Sequence, residues 1–339
     1  MLEPRVVADR ILIVLLGAIG DVTRALPLLM RIRHGYPEAE IAWAVEPLSA
    51  PLVQGHPALD RVIVFDRPRG ASAYLSFLRE LRRFQPDLTI DLQRHLKSGV
   101  ASRLSGAPVR LGFHRENSRE GNWWFQTDLL EPMPHFSSKL EQFLAFGDWL
   151  GLPASAIEAG LVPTEEDEAR VGQLLADIPR PFVAAFLGSS CESRLWFPDR
   201  TAAVIDRIAR RGVATVLLGG PGDTGFADEV EALAQARVWN LAGHTTLRDL
   251  IGIFGAATAA FGPDSGPMHI AAAVGCRVVS LWGATSPERS APVGSEDLVI
   301  LGHADCSPCY KEVCPIRREC MQTITVEQVF ARLQRSELR

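Results

Sequence analysis

The chain has 339 residues, 47% apolar and 22% charged, with a net charge of −5. That length favours two hydrophobic cores over one, and the composition is that of an ordinary globular protein. The acidic balance argues against a general nucleic-acid binder, and the longest apolar stretches, such as "LIGIFGAATAAF" (250–261), are too short and glycine-broken to span a bilayer.

The first ten residues, "MLEPRVVADR", make a poor signal peptide, so a cytoplasmic protein is expected. Strands are predicted at "ILIVLL" (11–16), "IAWAV" (41–45), "VIVF" (62–65), "LTIDL" (88–92) and "VRLGF" (109–113). Amphipathic helical patterns separate them. In "YLSFLRELRRF" the residues Tyr74, Phe77, Leu78, Leu81 and Phe84 share one face, with arginines on the other. Strand and helix in alternation give a parallel sheet covered on both faces.

The alternation lapses at "PTEEDEARVGQLLADIPRP" (163–181), an acidic helical stretch between prolines, read as the linker. It restarts with strands at 182–188, 214–220, 258–262 and 277–283, and with helices from Asp199, from about Thr224 and from near Ser265. The expected organisation is a first α/β domain over 1–162, the linker 163–181, a second α/β domain over 182–324, and a C-terminal helix over 325–339 that can pack back on the first domain. In such folds ligands bind at the carboxyl ends of the strands, so two facing domains would share a cleft.

Four strand ends carry chemistry. The first, "GAIGDVTRALP" (17–27), has glycines after a strand but not the G-x-G-x-x-G of a dinucleotide site. Asp21 can be read as a helix N-cap or as a catalytic base facing the cleft. Pro27 suggests that the regular helix begins nearer Leu26, with 17–25 as a turn.

The second, "FGPDSGPMHIAAAVG" (261–275), ends a strand and opens a helix, whose N-terminus suits an anion. There Asp264 suits sugar hydroxyls and Ser265, Gly266 and the next amides suit a diphosphate, with Pro267 and His269 beside them. The third, "FLGSSCESRLWFP" (186–198), offers Ser190 and Arg194 to phosphate oxygens. The fourth, "LLGGPGD" (217–223), offers Asp223 to a nucleotide. A basic stretch with Arg94, Lys97, His114, Arg115 and Arg119 is either a solvated surface or a site for an anionic ligand. Trp123 and Trp124 follow it. Cys306, Cys309, Cys314 and Cys320 cluster in fifteen residues, but the second pair lacks C-x-x-C spacing, which favours reduced structural thiols over a metal or a labile disulfide.

Together these residues resemble glycosyltransferase family 9, the lipopolysaccharide heptosyltransferases. The resemblance rests on Gly20-Asp21 with Leu26-Pro27, on Asp264-Ser265-Gly266-Pro267-Met268-His269, on "SLWGATSP" (280–287), and on 91–113 and 117–125. It implies a GT-B fold of two Rossmann-like domains facing each other across a cleft, acceptor in the first and nucleotide-sugar in the second. It implies inverting transfer of heptose from an ADP-activated donor to an inner-core lipopolysaccharide, with no metal or other cofactor, at the cytoplasmic face of the inner membrane.

By the same resemblance Asp21 is the general base. Ser190, Arg194, Asp223, Asp264, Ser265, Gly266, Pro267 and His269 take the donor, and Gly20, Arg94, Lys97, Arg115 and Arg119 the anionic glycolipid acceptor. The family commonly has lysine where Arg194 stands. Consistent with metal independence, the sequence has no D-x-D pair. The alternatives are a GT-B enzyme with a UDP- or GDP-hexose donor, a sugar-nucleotide epimerase, and a sugar-nucleotide-binding protein without catalysis.

Overall fold

A computed structural model of the chain describes residues 4–66 and 70–336. The chain divides into two compact units between Leu161 and Val162.

The first unit runs β1 (Arg10–Val14), α1 (Ile19–Gly35), β2 (Glu40–Val45), α2 (Ala50–Val53), β3 (Arg61–Val64), α3 (Ala71–Phe84), β4 (Leu88–Asp91), α4 (Leu96–Ser105), β5 (Val109–Gly112), β6 (Asp128–Leu129) and α5 (Lys139–Trp149). All its strands pair in parallel, in the order β3-β2-β1-β4-β5-β6. Central strands buried on both faces read as unbroken apolar runs, and Ile11, Leu12, Ile13 and Val14 of β1 are all fully buried.

Helix α1 corrects one expectation. It is continuous from Ile19, with Pro27 inside it, rather than starting near Leu26. A proline there removes one backbone hydrogen bond and costs ~3 kcal/mol or more. Burial outweighs that cost: Val22, Ala25, Leu26, Leu28, Leu29 and Ile32 are all packed away from water, each contributing on the order of 1–3 kcal/mol. The stretch expected as a turn is therefore the helix's first two turns.

Helix α5 is tied to α1 by Arg31, which is buried. Its guanidinium donates to the carbonyls of Pro153 at 2.8 Å and Leu144 at 3.1 Å and pairs with Asp148 at 2.8 Å.

The second unit runs α6 (Glu165–Leu174), β7 (Phe182–Phe186), α7 (Pro198–Ala209), β8 (Ala214–Leu218), α8 (Thr224–Leu233), β9 (Trp239–Asn240), α9 (Leu247–Ala256), β10 (Ala259–Pro263), α10 (Gly266–Ala273), β11 (Val278–Trp282), β12 (Ile300–Leu301), α11 (Glu319–Gln322) and α12 (Val326–Arg335). Its sheet is parallel, in the order β12-β11-β10-β7-β8-β9.

The stretch 163–181 is built into this unit. Helix α6 starts with a capping box between Thr164 and Asp167, and Arg170 reaches both carboxylate oxygens of Asp249 in α9 at 2.9 and 3.0 Å. Helix α12 is also part of the unit: Val329 and Leu333 are fully buried in its core, and the helix packs on α7.

Gly262 in β10 shows how tight the sheet is. A Cβ there would sit 2.1 Å from the carbonyl oxygen of Phe186 and 2.5 Å from its ring. Gly262→Ala is expected to cost about 1–3 kcal/mol or more by overpacking against backbone, read as a lowered denaturation midpoint.

Candidate functional site

Each sheet has one point where the chain leaves neighbouring strands in opposite directions. In the first it lies between β1 and β4, in the second between β7 and β10. The loops after these strands splay apart and leave a crevice at the sheet's carboxyl edge. Residues 15–21 and 92–98 follow β1 and β4 in the first unit, and residues 187–197 and 264–269 follow β7 and β10 in the second.

In the first unit the side chain of Gln93 holds the β1 exit, accepting from the amides of Leu16 at 2.8 Å and Gly17 at 3.3 Å. Ala18 is the N-cap of α1, Gly20 is buried in the first turn, and Asp21 follows it. The cap reading of Asp21 therefore fails: it is not the cap residue, and no side-chain cap bond is made. Its carboxylate binds two cations instead. Lys139 at the start of α5 donates to both oxygens at 2.6 and 2.7 Å, and Arg24 pairs with Oδ1. Burial pushes the Asp21 carboxyl up, but Lys139 and Arg24 together outweigh it and hold the group below the ordinary carboxylate range. Asp21 stays charged at neutral pH and keeps 23% of its side chain exposed.

The candidate acceptor residues divide. Arg94 has left-handed backbone (φ 71°), lies with its guanidinium 3.9 Å over the Phe113 ring, and pairs with Gln142 of α5. Its charge, like that of Asp21, acts on Lys139. Lys97, Arg115 and Arg119 are exposed on the surface of this unit, as is Trp124, 72% accessible, while Trp123 is half-buried against it. Beneath them Asp91 is fully buried, accepting from Asn122 at 2.6 Å and Gln126 at 2.9 Å, and burial raises its pKa. It is a structural tie from β4 to the loop that carries the tryptophans.

In the second unit the β7 and β10 exits meet. Arg194 lies 3.1 Å from Oδ2 of Asp264, and Thr285 donates to the same oxygen at 2.7 Å. Ser189 donates to the backbone carbonyl of Asp264 at 2.9 Å, locking the two strand ends together. Both side-chain contacts fall on Oδ2.

Ser265 is the N-cap of α10 yet makes no cap bond; its hydroxyl is buried and unpartnered, and so is Nε of Arg194. An unpaired buried hydroxyl is costly unless something else meets it. Beside it the free N–H groups of the first turn, from Gly266 on, offer an anion site (Pro267 brings no N–H). His269 is buried one turn along and is engaged by its neighbours.

Two candidates lie differently. Ser190 is exposed, its hydroxyl 3.7 Å from the Cys191 sulfur, and it is Ser189 that joins the cluster. Asp223 accepts from the amide of Gly220 at 2.7 Å and fills the space a Cβ on Gly188 would need, 2.0 Å from its carboxylate. Asp223 thus packs the β7 and β8 exits together. Among the described residues all six cysteines are free thiols, and no group of three or more His, Cys, Asp or Glu is arranged to hold a metal. Burial raises the Cys320 thiol, and the amide of Arg318 donates to the Cys314 sulfur at 3.1 Å.

Three partners escaped the sequence reading. Lys139 lies 118 positions from Asp21 and carried only a faint signal, a cation at the start of a capped helix, where the dipole disfavours it. Thr285 and Ser189 lay inside noted motifs but had no reason to be singled out.

The sequence model of glycosyltransferase family 9 (heptosyltransferase) matches residues 74–319. The chain belongs to that family. It is 27% identical over 287 residues to the lipopolysaccharide core heptosyltransferase OpsX of Haemophilus influenzae, covering 84% of this chain and 82% of that protein. It is 26% identical to lipopolysaccharide heptosyltransferase 1 of Pseudomonas aeruginosa, covering 90% and 87%.

Among solved structures, the family 9 glycosyl transferase of Veillonella parvula superposes with a TM-score of 0.83 at 21% identity, covering 97% of both chains. Escherichia coli ADP-heptose lps heptosyltransferase II superposes with a TM-score of 0.79 at 21% identity, covering 96% and 98%. The fold is GT-B, two Rossmann-like units, and this family 9 chain is a glycosyltransferase. None of its described helices is long and apolar enough to cross a membrane.

Proposed function

We propose that this protein transfers heptose from an ADP-activated donor to an inner-core lipopolysaccharide acceptor, with inversion and without a metal. The observation that supports it most is the second unit's strand-end cluster. An unpartnered, buried Ser265 hydroxyl, the first-turn amides of α10 and the Arg194 cation offer a diphosphate what it needs, in a chain of the heptosyltransferase family.

Asp264, held in the same cluster by Arg194 and Thr285, would hold hydroxyls of the transferred sugar. In the reaction the acceptor oxygen bonds to the anomeric carbon and the carbon–oxygen bond to the diphosphate breaks. The electron pair leaves with ADP, and the acceptor proton passes to the Asp21 carboxylate. The developing charge on the diphosphate falls on Arg194 and the α10 N-terminus.

An anionic acceptor suits the cations around the first crevice, Arg94 foremost. Exposed Trp124 and Phe136, with Lys97, Arg115 and Arg119, suit peripheral contact with an anionic inner-membrane surface at its cytoplasmic face. The test is a panel of ADP-, UDP- and GDP-sugars with deacylated inner-core acceptor, read by product mass. Turnover with ADP-heptose is expected. Turnover confined to a UDP- or GDP-hexose would replace the donor, and donor conversion without an acceptor would favour an epimerase.

A further inference from the structure

Lys139 sits where local electrostatics disfavours it. It is the first residue of α5, so the positive end of that helix dipole opposes its charge. Arg24 of α1 and Arg94 after β4 bear on it as well. The opposing charge that acts on it is Asp21, at 2.6 and 2.7 Å. Glu46, at the β2 exit, lies on the Gly17 side of the same edge.

The placement is nonetheless specified by several separate features. A capping box between Ser138 and Glu141 fixes where α5 begins. Arg31 fastens the far end of α1 to residues 144–153, so the two helices run side by side with their N-termini together. Gln142, one turn beyond Lys139, anchors Arg94. Lys139 keeps 28% of its side chain accessible, and the desolvation of a largely buried ammonium offsets much of what its ion pair contributes to the fold. Fold stability is therefore a weak reason for such a cation.

We infer that Lys139 is a positioning residue for the proton acceptor: its ammonium grips both oxygens of Asp21 and sets the orientation and the basicity of that carboxylate. The inference rests on the proposed role of Asp21. Arg24 reaches one oxygen from the same helix and cannot by itself fix the plane of the carboxylate. Lys139, from a second helix, does. Two cations also keep the carboxylate ionised at any pH where the enzyme works, so it is always ready to accept a proton. Burial and the neighbouring arginines push the ammonium of Lys139 down, while Asp21 supports its charge.

The experiment compares pH profiles of kcat/KM for the unaltered protein, Lys139→Met, Lys139→Gln and Lys139→Arg, with kcat and donor KM measured separately. Losing this cation is expected to move the acid limb up by about one pH unit. It is expected to lower kcat about tenfold through the misplaced carboxylate while donor KM stays unchanged. Lys139→Arg should restore the limb. An acid limb that stays in place in Met and Gln variants overturns the inference, even if their denaturation midpoints fall.

A carbon-13 titration of the Asp21 carboxyl in the unaltered protein needs no variant, and a midpoint at or above the ordinary carboxylate value overturns the inference as well. Asp21→Asn separates the two ideas. If it keeps its turnover, the assignment of Asp21 has failed; if it is inactive while the lysine variants behave as the unaltered protein, only the role of Lys139 has.

Discussion

Asp21→Asn is expected to lower turnover by at least ~10²-fold and to leave donor affinity unchanged, the size of effect a positioned general base supplies. The amide keeps the shape and can still accept from Lys139, but it cannot take a proton. Donor affinity should be preserved because Arg194, Asp264 and Ser265 belong to the other unit.

The pH dependence has a definite sign. Asp21 must be ionised to act, and its pKa lies below the ordinary 3.8. The acid limb of kcat/KM should therefore fall below the usual carboxylate range, with activity lost only as pH drops through the lowered value. Stability follows the same direction: the ion pairs contribute above the unfolded pKa and lose their contribution as pH falls through the folded one. If turnover is nearly unchanged in Asp21→Asn, the carboxylate is only part of a structural ion-pair cluster.

Arg194→Met is expected to weaken donor binding about 10- to 100-fold, the worth of hydrogen bonds to a charged group. Isothermal titration with ADP or the ADP-sugar reads it directly. The guanidinium already has one nitrogen on Asp264 at 3.1 Å, while its Nε is buried and unpartnered. A diphosphate oxygen is the ligand that would complete the set.

Removing the arginine also leaves Asp264 with only the Thr285 hydroxyl on Oδ2, so a lower denaturation midpoint should accompany the weaker binding. Arg194→Lys should recover most of the affinity, because the ammonium keeps the positive charge although it loses the planar fork. Affinity unchanged in Arg194→Met would move the diphosphate elsewhere.

Much of this molecule was legible from residue order. Apolar-rich runs marked the nine longer strands among the described residues, most clearly in β1 and β7, where a parallel strand buried on both faces has no polar alternation to lose. The strand-end motifs placed Asp21 and the Asp264–Ser265 turn where the sheets open. The two-residue strands β6, β9 and β12 were missed, being too short for any periodicity to show. The stretch 163–181 looked like a linker because its prolines and acidic residues are locally polar. Its partners, Asp249 and Arg248, lie about eighty positions away.

Local rules determined what they govern alone: strand positions, helix starts at capping residues, the glycines at strand ends and the acidic residue that follows the first strand. Tertiary structure decided the rest. It kept α1 helical through Pro27, because the burial of its apolar face outweighs one missing backbone hydrogen bond. It settled that Asp21 is not the helix cap, because a lysine far along the chain and an arginine one turn on claim both its oxygens. And it chose Ser189 and Thr285 as the partners of Asp264, because hydrogen bonds depend on separations in space that residue order does not encode.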